Sequence, residues 1–216
     1  MKPDLAVASF DLAWSGDTGW AVLCWNGRYT DARSGVIHLP AFSDEVGKAK
    51  NAGRLVDAVA EVLLSLPLAH RVVVCYESSL TWLLAAARDG KKTRKPVTRD
   101  SLMASAFSVT CFWIALAGWL RTGVEPKVVP VDAQMARRRL GADKAGMTHR
   151  VLVREAMDMP EYGKDRVKAG VGAAVAVRMQ HEGFGLTLPP TDDEADALCA
   201  AFAVADAELL LMRAET

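Results

Sequence analysis

Two short apolar segments constrain the fold most, because each runs almost unbroken and then stops at a carboxylate. Residues 5–10 end at Asp11, and residues 71–76 end at Glu77. Runs of this length without polar alternation read as strands buried on both faces. A meander surrounds the first: residues 19–25 form a second strand, Asn26-Gly27 is a strong hairpin signal, and residues 28–39 supply the returning strand. A helix over 44–66 follows, with Ala52, Leu55, Val56, Val59, Val62 and Leu63 at helical spacing and Pro67 just beyond its end. After the 71–76 strand and a basic loop come a charge-free helix, a strand over 127–131, and helical segments almost to the C-terminus. Three meandering strands followed by strand-helix alternation predict one α/β domain, a mixed five-stranded sheet flanked by helices.

A chain of 216 residues with 51% hydrophobic content has ample material for one core. Lys plus Arg and Asp plus Glu balance at 26 each, so any nucleic-acid surface must come from local clustering. Cys24, Cys75, Cys111 and Cys199 lie far apart among apolar residues, without zinc-type spacing, and read as buried reduced thiols. The N-terminus shows no cationic start, long apolar stretch or cleavage-site pattern, so a cytoplasmic location is expected. The twenty residues 101–120 carry no charge, about the length that spans a bilayer. Ser101, Ser105, Ser108 and Thr110 dilute their hydrophobicity and strand-like segments flank them, so a buried helix is expected and no membrane partner.

Four acidic positions carry the chemistry. If the first and fourth strands are adjacent and parallel, Asp11 and Glu77 emerge side by side, too close for both to ionise cheaply without a cation. Thr191 is a natural N-cap with Glu194 three residues on, a capping box, which puts Asp193 and Asp196 on one face of the last helix. Helix-dipole preference alone accounts for acids in a first turn, and Asp192 competes with Asp193 as the ligand. Asp196, set among Ala195, Ala197, Leu198 and Cys199, has no such explanation, since an unpaired charge there is costly. Oxygen-only ligands select Mg²⁺ or Mn²⁺, and four carboxylates suffice for a pair of ions and phosphodiester hydrolysis.

These residues resemble a known family. Phe10-Asp11 with Thr18-Gly19-Trp20-Ala21-Val22, the segment Val72-Val73-Val74-Cys75-Tyr76-Glu77, and Asp193-Glu194-Ala195-Asp196-Ala197-Leu198 look like the three signature blocks of RuvC Holliday junction resolvases, in the right order. The resemblance spans nearly the whole chain. It implies an RNase H-like fold with Asp11, Glu77, Asp193 and Asp196 as catalytic metal ligands for two Mg²⁺ or Mn²⁺ ions. It also implies Lys144, in Gly141-Ala142-Asp143-Lys144, as a catalytic basic residue near the scissile phosphate, against the alternative of a solvated loop lysine. Leu80 and Trp82 fall where the family inserts a side chain into opened junction DNA, although Trp82 reads equally well as core. The chain departs from the family where Leu12-Ala13-Trp14-Ser15-Gly16 replaces the usual Pro-Gly after the first aspartate. It is also longer than the bacterial enzymes, with expected insertions near 88–99 and 161–185.

The loop after Glu77 carries Arg88, Lys91, Lys92, Arg94, Lys95 and Arg99 against Asp89 alone, which suits phosphate contacts beside the acidic site. Arg137, Arg138, Arg139, Lys144 and Arg150 extend the basic track. Along the uncharged helix, Ala104, Ser108, Cys111, Ala115 and Gly118 form a small-residue stripe, with Phe107, Phe112 and Trp113 on other sides. A helix apolar all round must be buried all round. It is therefore expected to pack on the sheet and against its own copy in a homodimer, unless residues 161–185 cover it. The expected function is a metal-dependent endonuclease resolving four-way (Holliday) DNA junctions, active in recombination and repair. Alternatives are an RNase H-fold nuclease acting on flaps, other branched DNA or RNA-DNA hybrids, and a non-catalytic DNA-binding module of the same fold. A sugar kinase of actin-like architecture is excluded, since it needs two such domains and a phosphate-binding glycine loop.

Overall fold

The computed structural model describes residues 2–13, 16–41, 44–77, 99–142, 149–163 and 165–215. Five strands, β1 (Leu5–Asp11), β2 (Gly16–Trp25), β3 (Tyr29–Leu39), β4 (Arg71–Glu77) and β5 (Lys127–Val131), form one sheet in the order β3-β2-β1-β4-β5. β1 pairs antiparallel with β2 and parallel with β4; β2–β3 is antiparallel and β4–β5 parallel. This is the mixed sheet expected. The hairpin turns at Asn26-Gly27, where Gly27 takes a left-handed φ of 69° that other residues adopt only with strain.

Because side chains alternate along a strand, the sheet sorts its residues into two cores. Ala6, Ala8, Phe10, Val22, Cys24, Val72 and Val74 face one side, under α1 (Glu45–Leu64) and α2 (Arg99–Leu120). Leu5, Val7, Ala21, Leu23, Val73 and Cys75 face the other. There α3 (Ala133–Leu140), α4 (Arg150–Asp158), α5 (Arg166–His181) and α6 (Asp192–Glu215) pack. Each fully buried aliphatic side chain in these layers contributes about 1.5–3 kcal/mol. Strand β1 is buried on both faces, which is why its sequence runs apolar without alternation.

Helix α6 lies on the central strands β1 and β2. Its inner surface is built largely from Ala195, Ala197, Ala200, Ala201, Ala203 and Ala205, all buried, so its axis approaches the sheet closely. Helix α5, from the segment expected as an insertion, packs on α6 and so lies on the opposite face from α2. It does not cover α2.

Helix α2 departs from one expectation. Ser108, Cys111 and Ala115 of the small-residue stripe are buried inside the chain, where α2 meets α1. The stripe serves that internal helix pair, since small side chains allow two helices to lie close, and Gly118 at its end is exposed. What α2 shows outward is larger: Met103, Phe107, Trp113, Ile114 and Leu120 are each more than two-fifths exposed. By length and composition Leu102–Leu120 would cross a membrane, but its Phe112, Leu116 and Trp119 sit in the core against the sheet and α1.

Candidate metal centre

The site begins with the pleat. On β1, Leu5 and Val7 face α6, so Asp11, two steps further in the same parity, leaves the strand end on that face. On β4, Val73 and Cys75 put Glu77 on the same face by the same rule. The parallel register pairs Asp11 directly with Glu77. Two carboxylates therefore stand abreast at the ends of neighbouring strands.

The third wall is the N-terminus of α6. Asp11 is the register partner of Gly19 on β2. A Cβ built on Gly19 would lie 2.0 Å from the Asp193 carbonyl oxygen, so only glycine lets the first turn of α6 rest against the sheet beside Asp11. The Asp193 backbone thus crosses the strand next to Asp11, and Asp196 follows one turn on.

Thr191 caps the helix, its Oγ1 accepting from the Glu194 amide at 3.1 Å. The reciprocal half of the capping box does not form. Instead the Glu194 carboxylate accepts from the Ser34 hydroxyl at 2.8 Å, and the Asp192 carboxylate pairs with Lys168 of α5. Two of the three first-turn acids, Asp192 and Glu194, thereby have structural partners, which separates Asp192 from Asp193.

The electrostatics follow from this crowding. Burial first, then Glu77, Asp196 and Asp193, push the Asp11 carboxyl well above the usual range, while Arg137 pulls against them. Glu77 is raised to about 7 by burial and by Asp196. Asp193 rises to about 6 through burial and Asp192, opposed by Lys168. Burial also raises Asp196, against the pull of Arg137. The four acids feel one another as a single negative pocket, the condition that a cation relieves.

Among the described residues, the cation that pairs directly with one of the four acids is the protein's own Arg137. Arg137, in the last turn of α3, grips Asp196 with Nη2 at 2.9 Å and 3.0 Å from the two carboxylate oxygens and Nε at 3.3 Å from one of them. It is delivered there because β5 ends beside Glu77, its Val131 being the Glu77 partner, and Asp132 then caps α3 by accepting from the Met135 amide at 3.0 Å. The sequence placed Arg137 and Arg138 together on an outer DNA track. Arg138 is exposed, but Arg137 is folded inward, because an aspartate with only 9% of its surface exposed needs a partner.

The ion pair of Asp196 implied a partner from sequence alone; nothing in the sequence said which basic residue. Lys168, whose charge also acts on Asp193 and Asp196, gave no signal at all. Arg99 opens α2. Leu80, Trp82, Arg88, Lys91, Lys92, Arg94, Lys95 and Lys144 lie outside the described residues.

No family model and no curated protein matches the sequence. Among solved structures the chain is similar to RuvC of T. thermophilus in complex with a Holliday junction substrate, with a TM-score of 0.58 and 15% identity over 95% of this chain and 96% of that one. The fold is RNase H-like, of the RuvC type.

The donor set is made of oxygen alone, and its negative charge exceeds what Arg137 and Lys168 neutralise. That chemistry fits hard divalent cations such as Mg²⁺ or Mn²⁺. Among the described residues, however, no three acidic, imidazole or thiol groups are disposed to grip one ion as they stand, and Asp196 has turned both its oxygens to Arg137. The residues fit the ions in kind.

Proposed function

We propose that this chain is a divalent-metal-dependent endonuclease that resolves four-way DNA junctions. The observation that carries the reading is the side-by-side register of Asp11 and Glu77 under the first turn of α6, which brings Asp193 and Asp196 to the same strand ends. Support comes from the fold shared with a RuvC whose structure holds a Holliday junction. Asp11, Glu77, Asp193 and Asp196 would hold two Mg²⁺ or Mn²⁺ ions. When bound, the ions supply activation of water and stabilisation of the leaving oxygen. The chain's own contribution is to fix four carboxylates on rigid strand and helix ends, to hold Arg137 within reach of a phosphate, and to present Arg138 on the surface of α3. The basic residues Arg88, Lys91, Lys92, Arg94, Lys95 and Arg99, with Lys144, are proposed to track the DNA backbone, and Leu80 and Trp82 to contact opened bases.

A junction has two strands to cut, and the exposed apolar side of α2 is proposed to join two copies of the chain. Light scattering after size exclusion should give twice the chain mass, and Ile114→Lys should halve it while changing folding stability by less than about 0.5 kcal/mol.

The function is tested by incubating the protein with a four-way junction, a flap, a plain duplex and an RNA-DNA hybrid, with Mg²⁺, Mn²⁺ or EDTA. Paired nicks on the junction alone, lost with EDTA and in Glu77→Gln, are expected. Cleavage confined to the flap or the hybrid would reassign the substrate to a related nuclease reaction. Metal-independent binding without cleavage of any substrate would make the chain a DNA-binding module.

A further inference from the structure

The three consecutive arginines of α3 have three different fates. Arg138 is exposed to solvent. Arg139 donates to the Ala203 carbonyl at 3.1 Å and ties α3 to α6. Arg137 alone turns into the acidic pocket, where its guanidinium occupies both oxygens of Asp196 and its charge also acts on Asp11 and Glu77. A guanidinium so placed repels any divalent ion entering the same pocket. Its planar fork fits a phosphate as well as a carboxylate, so a DNA strand offers it an equivalent partner.

We propose that Arg137 is an internal counterion that holds Asp196 until a DNA phosphate draws it away, so that divalent-cation binding and DNA binding are coupled. This rests on the metal-centre reading given above. Without DNA, the ions must displace Arg137 from Asp196, and their affinity is weak. With a backbone phosphate in the site, Arg137 exchanges carboxylate for phosphate, Asp196 is freed, and the ions bind more tightly. Linkage makes the effect mutual: the ions must strengthen DNA binding by the same factor. The arrangement would keep the centre poorly loaded until substrate arrives. Arg137 acts here as a positioning residue for Asp196.

The test follows free Mn²⁺ by its electron paramagnetic resonance signal as intact protein is added, without DNA. Arg137→Gln should bind Mn²⁺ about tenfold more tightly than the unaltered protein. Arg137→Lys keeps the charge but loses the two-pronged grip, and should fall between; it carries the test if the glutamine variant fails to fold. Arg138→Gln makes the same charge change one residue away and should shift the affinity by no more than about twofold. A second readout is junction affinity by fluorescence anisotropy, in Ca²⁺ against EDTA: the gain from Ca²⁺ should be large in the unaltered protein and reduced in Arg137→Gln.

Unchanged or weaker Mn²⁺ binding in Arg137→Gln, or an equal gain in Arg138→Gln, overturns the proposal while leaving the metal centre intact. If the unaltered protein and both Arg137 variants take up no Mn²⁺ at millimolar concentration, the metal-centre reading fails and this inference fails with it.

Discussion

Near the C-terminal end of α6, Glu208 is only 3% exposed and meets two cations, Lys127 at 2.6 Å and Arg71 at 3.4 Å. Near the N-terminal end of the same helix, Asp196 has one guanidinium, which also answers the charges of Asp11 and Glu77. Both ends bury acid against the same sheet. The first end has as many cations as carboxylates, because Arg71 also pairs with Glu215 at 2.7 Å, and the second has fewer. A buried carboxylate with its cations in place is part of the scaffold, whereas a group of them left undercompensated makes room for a ligand that brings positive charge. Conserving such a deficit costs stability, and the cost is what the following changes measure.

The largest difference should come from removing one carboxylate at the acid-rich end. Asp11→Asn is expected to lower junction cleavage by at least about 10³-fold, roughly 4 kcal/mol in the barrier. The same change should raise the stability of the metal-free protein, since it removes a carboxyl whose ionisation burial and the neighbouring acids oppose. A loss of stability together with the loss of activity would mean that Asp11 is a scaffold residue like Glu208.

Gly19→Ala probes how the acid-rich end is held. Its added Cβ would meet the Asp193 carbonyl, so α6 or β2 must shift. Chemical denaturation should show a loss of about 1–3 kcal/mol, and cleavage should fall with it, because Asp193 and Asp196 move away from the strand ends. Full activity in this variant would break the link between the close helix approach and the site.

Glu208→Gln sharpens the contrast from the other side. It should cost about 2 kcal/mol, less than a fully buried pair because Arg71 and Lys127 are partly solvated, and leave cleavage within about twofold.

Changing pH probes the same deficit without a substitution. Glu77 rises from 4.5 to about 7 and Asp193 from 3.8 to about 6 on folding, so between those limits the folded chain holds more protons than the unfolded one. Stability of the metal-free protein must then fall as pH rises through that window, by up to about 1.4 kcal/mol per unit for each carboxylate. Thermal melts in EDTA should show this decline, and Mg²⁺ should flatten it. A metal-free protein that becomes more stable from pH 5 to 7.5 would place the acids in compensated surroundings.

The parts of this contrast that local pattern encodes were legible in the sequence. The uninterrupted runs ending at Asp11 and Glu77 fixed two buried strands, and the pleat then decided which way the carboxylates faced. Thr191 marked the start of α6, and the spacing of Asp193 and Asp196 put both on one helical face. The partners of the buried acids were not legible, because pairing is decided by which remote element lies opposite. Nothing local distinguishes Arg137, which turns inward, from Arg138, which does not. Lys168 reaches the site only through the path of α5. For the same reason the stripe of Ser108, Cys111 and Ala115 announced a close helix contact without revealing that the neighbour is α1 of the same chain.

The most direct test of the cation deficit is a crystal of the protein grown with DNA and Mn²⁺, read by anomalous scattering. Two peaks enclosed by Asp11, Glu77, Asp193 and Asp196, about 4 Å apart as in paired-ion hydrolytic centres, are predicted. A map with no peak there, and Arg137 still seated on Asp196 beside bound DNA, would contradict the account.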